Sequence, residues 1–173
     1  SIDRANRLTA QLLTLARLDP MQALPDAQPI DWQRTAHQTL QSVNLQAREK
    51  RVQLKLECAC GFGQVFPPLG NEVLLQLMLR NLLANAIRYS TPNGHVTLTL
   101  AADGPTVRDE GPGIAAEHLP RIRERFYRPP GQSQQGSGLG LSIVERIADL
   151  HGLRLDLANA DERGLCVHMI KAV

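Results

Sequence analysis

Two asparagines, Asn81 and Asn85, stand four residues apart in "RNLLANAIRYS", inside the most apolar stretch of the chain. At about 3.6 residues per turn their amides lie one above the other on a helix, and Arg88 continues the stripe. Amide oxygens suit Mg²⁺, a hard cation that takes oxygen ligands and keeps several waters while bridging phosphates. Either asparagine alone reads as well as a helix cap or a bond to a neighbouring loop, with about 1–3 kcal/mol at stake if it is left unsatisfied. Two of them with Arg88 on one stripe are harder to dismiss, and something polar is expected to face them.

Glycines supply the second candidate. "DEGPGI" and "GSGLGLS" are separated by a charged, proline-containing stretch. Glycine permits close backbone approach and unusual dihedrals. "GSGLG" runs straight into an apolar helix, whose free N–H groups and positive end form an anion seat that a phosphate chain would fit. Glycine-rich turns are more often only turns, and the segment is neither a P-loop, lacking G-x-x-x-x-G-K-[ST], nor a Rossmann fingerprint, since Leu141 occupies the last glycine position. Asp109 also has two readings. Asp before x-Gly commonly opens a turn; as a buried acceptor, its carboxylate would instead receive an exocyclic amino group such as that of adenine.

These residues need a scaffold. Residues 1–19 carry apolar Ile2, Ala5, Leu8, Leu12, Leu15 and Ala16 at helical spacing, and three prolines mark "PMQALPDAQP" as a linker. A helix over about 31–50 is expected to turn Trp32, Ala36, Leu40, Val43 and Leu45 inward, and "VQLKLE" alternates as a half-buried strand. The apolar helix follows, then a "TPNG" turn and the strand "HVTLTLAA". A short strand ends at "TVRDEGPGI", and the helix "LSIVERIADLHG" and strands "LRLDLAN" and "LCVHMI" close the chain. Helices alternating with mostly hairpin-joined strands predict a two-layer α/β sandwich, a mixed, mostly antiparallel sheet packed on helices, with an N-terminal helical stub.

Composition bounds the partners. The chain has 173 residues, 43% hydrophobic and 21% charged, enough for one well-cored domain and an appended element. A net charge of +2 and 3% aromatic residues argue against nucleic acid or an anionic membrane surface as partner. No apolar run approaches the roughly 18–20 residues of a membrane span, and no signal-peptide pattern opens the chain, so a soluble chain is expected. Cys58, Cys60 and Cys166 form an odd set without a C-x-x-C pair, which favours reduced thiols in a cytosolic setting over a disulfide framework or zinc site.

In order, "NLLANAIRY", "DEGPGI", "RERFYR" and "GSGLGLSIV" resemble the N box, first glycine box, F box and second glycine box of bacterial sensor histidine kinases. These belong to the wider group of ATPases that includes gyrase, the heat-shock chaperones and the mismatch-repair proteins. The resemblance covers residues 27 to 173, and the polymyxin-resistance and quorum-sensing sensors are the subgroup it resembles. It implies a Bergerat-type ATP-binding catalytic domain over residues 30–173, with a lid at 115–135. It implies further that residues 1–19 end a dimerisation helix and that 20–29 are linker. ATP and Mg²⁺ are the implied cofactors, with Asn85 as metal ligand, Asn81 as its helper and Arg88 and Tyr89 near the phosphates and nucleotide. Asp109 would read adenine, with Gly111 and Gly113 letting backbone approach the base and Ile114 beside them. Gly136, Gly138 and Gly140 would shape the lid hinge and phosphate seat, and Ser137, Leu139 and Leu141 would complete the nucleotide contacts.

Relatives in that ATPase group that hydrolyse ATP or phosphorylate serine carry a glutamate general base where Asn81 stands. An amide cannot accept that proton, so neither reaction is expected. Histidine kinases present an imidazole that is already nucleophilic, and catalysis is mostly positioning, with Asn81 and Arg88 as the residues implied. The implied function is transfer of the γ-phosphoryl group of Mg-ATP to a histidine. None of His37, His95, His118, His151 and His168 lies in a phosphoacceptor motif, which places the acceptor outside the chain. The implied partners are the protein's own dimerisation domain in a homodimer and a response regulator, and the implied location is the cytoplasmic portion of an inner-membrane sensor. A non-catalytic nucleotide-binding module that regulates docking is the alternative. Three departures stand out: Arg123 replaces the first phenylalanine of the F box, Asn71 a frequent aspartate, and His168 occupies a strand position where threonine often contacts nucleotide.

Overall fold

A computed structural model describes residues 1–131 and 136–173. The alternating stretches become one five-stranded sheet of β2 (Gln53–Cys58), β4 (His95–Ala101), β5 (Gly104–Arg108), β7 (Leu165–Lys171) and β6 (Leu153–Asn159), in the spatial order β2-β4-β5-β7-β6. Only β2 and β4 are parallel, because helix α3 (Glu72–Tyr89) crosses over between them. The other pairs are antiparallel. On one face Val96, Leu98, Leu100, Val107, Leu153, Leu155, Val167 and Met169 are buried, whereas Thr97 and Thr99 on the other face are only partly so. Helices α2 (Trp32–Lys50), α3 and α4 (Gly140–Leu150) cover the apolar face, and α1 (Ile2–Leu18) packs on α4. This is the two-layer sandwich, mostly antiparallel, that the pattern predicts.

α3 runs through the core with Leu75, Met78, Leu79, Leu82, Leu83, Ala86 and Ile87 buried. Asn71 caps it, accepting from the Leu74 N–H at 3.1 Å, while its Nδ2 donates to the Pro25 carbonyl at 3.1 Å. Aspartate would cap as well but could not make the second bond, so the departure at Asn71 has a local use.

One expectation about facing is corrected. Leu45 is 69% exposed, because two residues beyond Val43 is about 200° around the helix; Ala47 takes the inward position. In α1 only Leu15 and Leu18 are buried, and Ile2 and Leu12 are 79% and 43% exposed. The helix meets the domain along a narrow line, not across its whole apolar stripe. The linker also ends inside the domain: Gln28 and Pro29 form a short strand, β1, paired antiparallel with β3 (Leu69–Gly70). Among the described residues no helix is long and apolar enough to cross a membrane.

His151, at the end of α4, is 6% exposed. Its Nδ1 lies 2.8 Å from the Ile147 carbonyl and its Nε2 accepts from the Asn71 N–H at 3.0 Å, an arrangement that needs a neutral ring with the proton on Nδ1. Burial holds its pKa below the ordinary value. The unfolded chain therefore binds this proton more readily, and stability is lost as the pH falls below about 6.5. His151→Ala should cost about 2 kcal/mol or more by stranding both partners. In denaturant titrations at pH 7 and 5 it should also flatten the acid dependence; an unchanged slope would refute this role.

Candidate functional site

Between the helix layer and the loops at one end of the sheet lies a cleft of about 1040 Å³, the size of a small-molecule site. Asn81, Asn85, Arg88 and Tyr89 reach it from α3. Asp109, Gly113 and Ile114 reach it from the loop after β5, and Gly136, Ser137, Gly138, Gly140 and Leu141 from the segment that starts α4. Sequence-distant residues thus converge on one space. Two expected residues do not line it. Gly111 sits against α3, where an added Cβ would lie 2.2 Å from the Tyr89 carbonyl oxygen, so its missing side chain serves loop-on-helix packing. Leu139 is fully buried in the core.

Asp109 is 5% exposed. Its Oδ1 accepts from the Gly111 N–H at 2.8 Å and the Leu165 N–H at 3.1 Å, so both bonds go to one oxygen and Oδ2 is available to a donor in the cleft. Burial raises its pKa, and the two N–H bonds only partly offset this. Gly164, at φ +96°, makes the arrangement possible: a Cβ there would lie 1.9 Å from the Asp109 carbonyl oxygen. Local patterning gives no sign of this pairing, since the two residues are far apart in the chain. Asn159 is a second missed residue. It clamps Ile114 by accepting from its N–H at 2.8 Å and donating to its carbonyl at 2.7 Å, and it fills the space beside Gly113, whose φ is +73°. Gly113 accordingly lets a side-chain amide approach the loop.

The α3 asparagines face the start of α4. Asn81 Nδ2 donates back to the Leu77 carbonyl at 2.9 Å. A Cβ on Gly140 would lie 3.6 Å from Asn81 Oδ1 and 3.4 Å from Asn85 Nδ2, so both amides border the first residue of α4. Leu139 is the N-cap residue of that helix and offers no side-chain cap, so the first-turn N–H groups open beside the asparagines. Gly138, at φ +75°, has the backbone of Phe126 where a side chain would go, at 2.6 Å. The Phe126 N–H donates to the Gly138 carbonyl at 2.9 Å, tying the 115–131 segment to the glycine stretch. Arg88 Nη1 lies 3.0 Å from the Cβ position of Gly136, and so against the same stretch.

Within the expected lid, residues 115–131 form turns, and 132–135 lie outside the described residues. Arg123 points to the body of the domain: Nη2 donates to the Leu155 carbonyl at 2.7 Å and Nη1 lies 3.6 Å from Glu145. Phe126 stays 57% exposed. His168, the departure on the last strand, stays clear of the cleft. It pairs with Thr106 and shares the sheet face away from the cleft, near Asp103 at 3.5 Å, whereas Leu165 and Val167 are the β7 residues lining the cleft.

Residues 70–172 match the family described as Histidine kinase-, DNA gyrase B-, and HSP90-like ATPase. The chain belongs to that family. Sensor protein QseC of Escherichia coli K12 is 45% identical over 163 residues, 94% of this chain and 36% of that protein. Sensor protein kinase PmrB of Pseudomonas aeruginosa is 36% identical over 87% of this chain and 32% of its own length. The chain thus spans about a third of these curated relatives. Among solved structures, the cytoplasmic segment of histidine kinase QseC matches with a TM-score of 0.66 at 33% identity, covering 98% of this chain and 93% of that one. Full-length ShkA in complex with AMPPNP matches with a TM-score of 0.78 at 25% identity, over 96% of this chain and 36% of that one. The family domain here is the ATP-binding domain of a sensor histidine kinase.

Proposed function

We propose that residues 30–173 hold Mg-ATP in the cleft and transfer its γ-phosphoryl group to a histidine outside these 173 residues. On this reading the acceptor lies on dimerisation helices that residues 1–19 end, 20–29 are linker, and 115–135 close over the nucleotide. One observation carries it. Among the described residues lining the cleft, the only carboxylate is the buried Asp109, with an oxygen to spare, and it shares the cleft with five arginines, Arg4, Arg7, Arg80, Arg88 and Arg128. An amino-bearing base with a polyanionic tail matches that distribution.

In this assignment Asp109 accepts the adenine amino group, and Asn85 would hold Mg²⁺ through its amide oxygen, an ion that when bound would supply neutralisation of phosphate charge. Arg88, Tyr89, Ile114, Gly113 and the segment from Gly136 to Leu141 enclose the nucleotide, with Gly111 and Leu139 supporting it from behind. Asn81 orients the α3 amides without serving as a base, which suits attack by a free imidazole and disfavours hydrolysis by water. The N–P bond forms as the P–O bond to the β-phosphate breaks, and ADP leaves. In the whole protein the partners are a second copy, through the dimerisation helices, and a response regulator. The domain then works on the cytoplasmic side of an inner-membrane sensor, consistent with the QseC structure being that of a cytoplasmic segment.

Calorimetric titration of ATP with and without Mg²⁺ tests the assignment. Asn85→Ala should weaken Mg-ATP binding about tenfold and leave magnesium-free ATP little changed, because the lost contact runs through the ion. An unchanged Mg²⁺ dependence would remove Asn85 from this role.

A further inference from the structure

We propose that Arg4 and Arg7 of α1 bind the terminal phosphate of the nucleotide, making the helix before the linker a wall of the ATP site. The inference rests on the reading of the cleft as an ATP site. Arg4, Arg7, Leu8, Gln11 and Thr14 all line the cleft. Their three- and four-residue spacing puts them on one face of α1, and the same face continues into the buried Leu15 and Leu18. Core packing therefore sets which side of α1 the cleft sees.

The helix is also fastened along its length. At its end Arg146 donates to the carbonyls of Leu18, at 3.1 Å, and Met21, while Arg125 pairs with Asp19 at 2.7 Å. At its middle Gln11 Oε1 accepts from Ser137 Oγ at 2.5 Å, placing α1 directly on the glycine stretch beside α4. Arg7 is about one helical turn from Gln11 and Arg4 about two, so both follow the cleft outward from that stretch.

Their charge has no ion-pair partner among the described residues. Among the described residues neither Arg4 nor Arg7 has a carboxylate within ion-pair distance, and Arg80, across from them on α3, has none either. Three exposed guanidinium groups lining one cleft repel one another, and an anion between them removes that repulsion. Asp109, the one carboxylate among the described residues lining the cleft, forms no ion pair with any of the three. A triphosphate brings one more phosphate than a diphosphate, so the arginines distinguish ATP from ADP, and loss of the γ-phosphoryl group loosens α1.

The test uses the chain with both arginines replaced, Arg4→Gln and Arg7→Gln; both are exposed and glutamine keeps helix propensity, so the unliganded melting temperature should not fall. ATP, ADP and adenosine are titrated against both proteins. The expected result is a roughly tenfold loss of ATP affinity, a smaller loss for ADP and none for adenosine. Wild-type affinity of the double variant for ATP would overturn the proposal, and so would an equal loss for all three ligands, which would mean that α1 only shapes the cleft. Failure of the wild-type chain to bind ATP at all would instead overturn the ATP reading beneath it.

Discussion

Replacing Asp109 with Asn is expected to weaken ATP binding roughly 10- to 100-fold while raising the melting temperature of the unliganded protein. The amide oxygen can still accept from the N–H groups of Gly111 and Leu165, which lie 2.8 and 3.1 Å from Oδ1, so the loop keeps its bonds. The other carboxylate oxygen becomes an NH₂, and a donor then meets the amino group of adenine. Stability moves the opposite way. Burial raises the Asp109 pKa, so the ionised group costs the fold free energy at neutral pH and costs none once the pH is below the unfolded value near 4. The gain in melting temperature should therefore appear at pH 7 and vanish in acid. Wild-type protein should also reject GTP, which presents a carbonyl oxygen to the carboxylate. A variant that binds ATP like wild type, or wild type that binds both nucleotides equally, would remove Asp109 from base recognition.

The second large effect concerns the reaction. Incubated alone with labelled ATP and Mg²⁺, the chain should form no phosphohistidine and release phosphate only slowly. None of its histidines lines the cleft. His37 bonds to the Gln33 carbonyl, His95 lies on Glu110, His118 on Tyr127 and His168 beside Asp103, and His151 is buried. Supplying a dimerisation fragment that carries the acceptor should put acid-labile label on that fragment, because the imidazole needs alignment with the γ-phosphate more than activation. Asn85→Ala should reduce the transfer by about 100-fold or more, since positioned charge stabilisation is most of what the site offers. Label on the isolated chain would mean that one of the five histidines had been misjudged. Rapid phosphate release would contradict the role given to Asn81, and ATP binding without transfer to any matched fragment would favour a non-catalytic docking module.

Much of the architecture was legible because its signals are local. Alternation over residues 53–58, 95–101, 153–159 and 165–171 marks strands, and apolar spacing marks α3 and α4. The helical period alone aligns Asn81, Asn85 and Arg88. Facing is not legible locally where a neighbouring strand sets the parity. Pairing of Val107 with Val167 and Thr106 with His168 decides that Leu165 and Val167 face the cleft and His168 does not. Apolar character alone does not bury Leu45, since an exposed leucine is common.

Local spacing sets the helices α2, α3 and α4, the strands of the five-stranded sheet and the polar stripe on α3, because each depends on residues a few positions apart. Which groups meet is set by the folded core. It put Gly164 under Asp109, Asn159 on Ile114, Arg123 on Leu155 and Glu145, and the arginines of α1 along the cleft. Those pairs are many residues apart, and their contacts arise from strand register and helix docking, which are set by the whole core and leave no trace in local spacing.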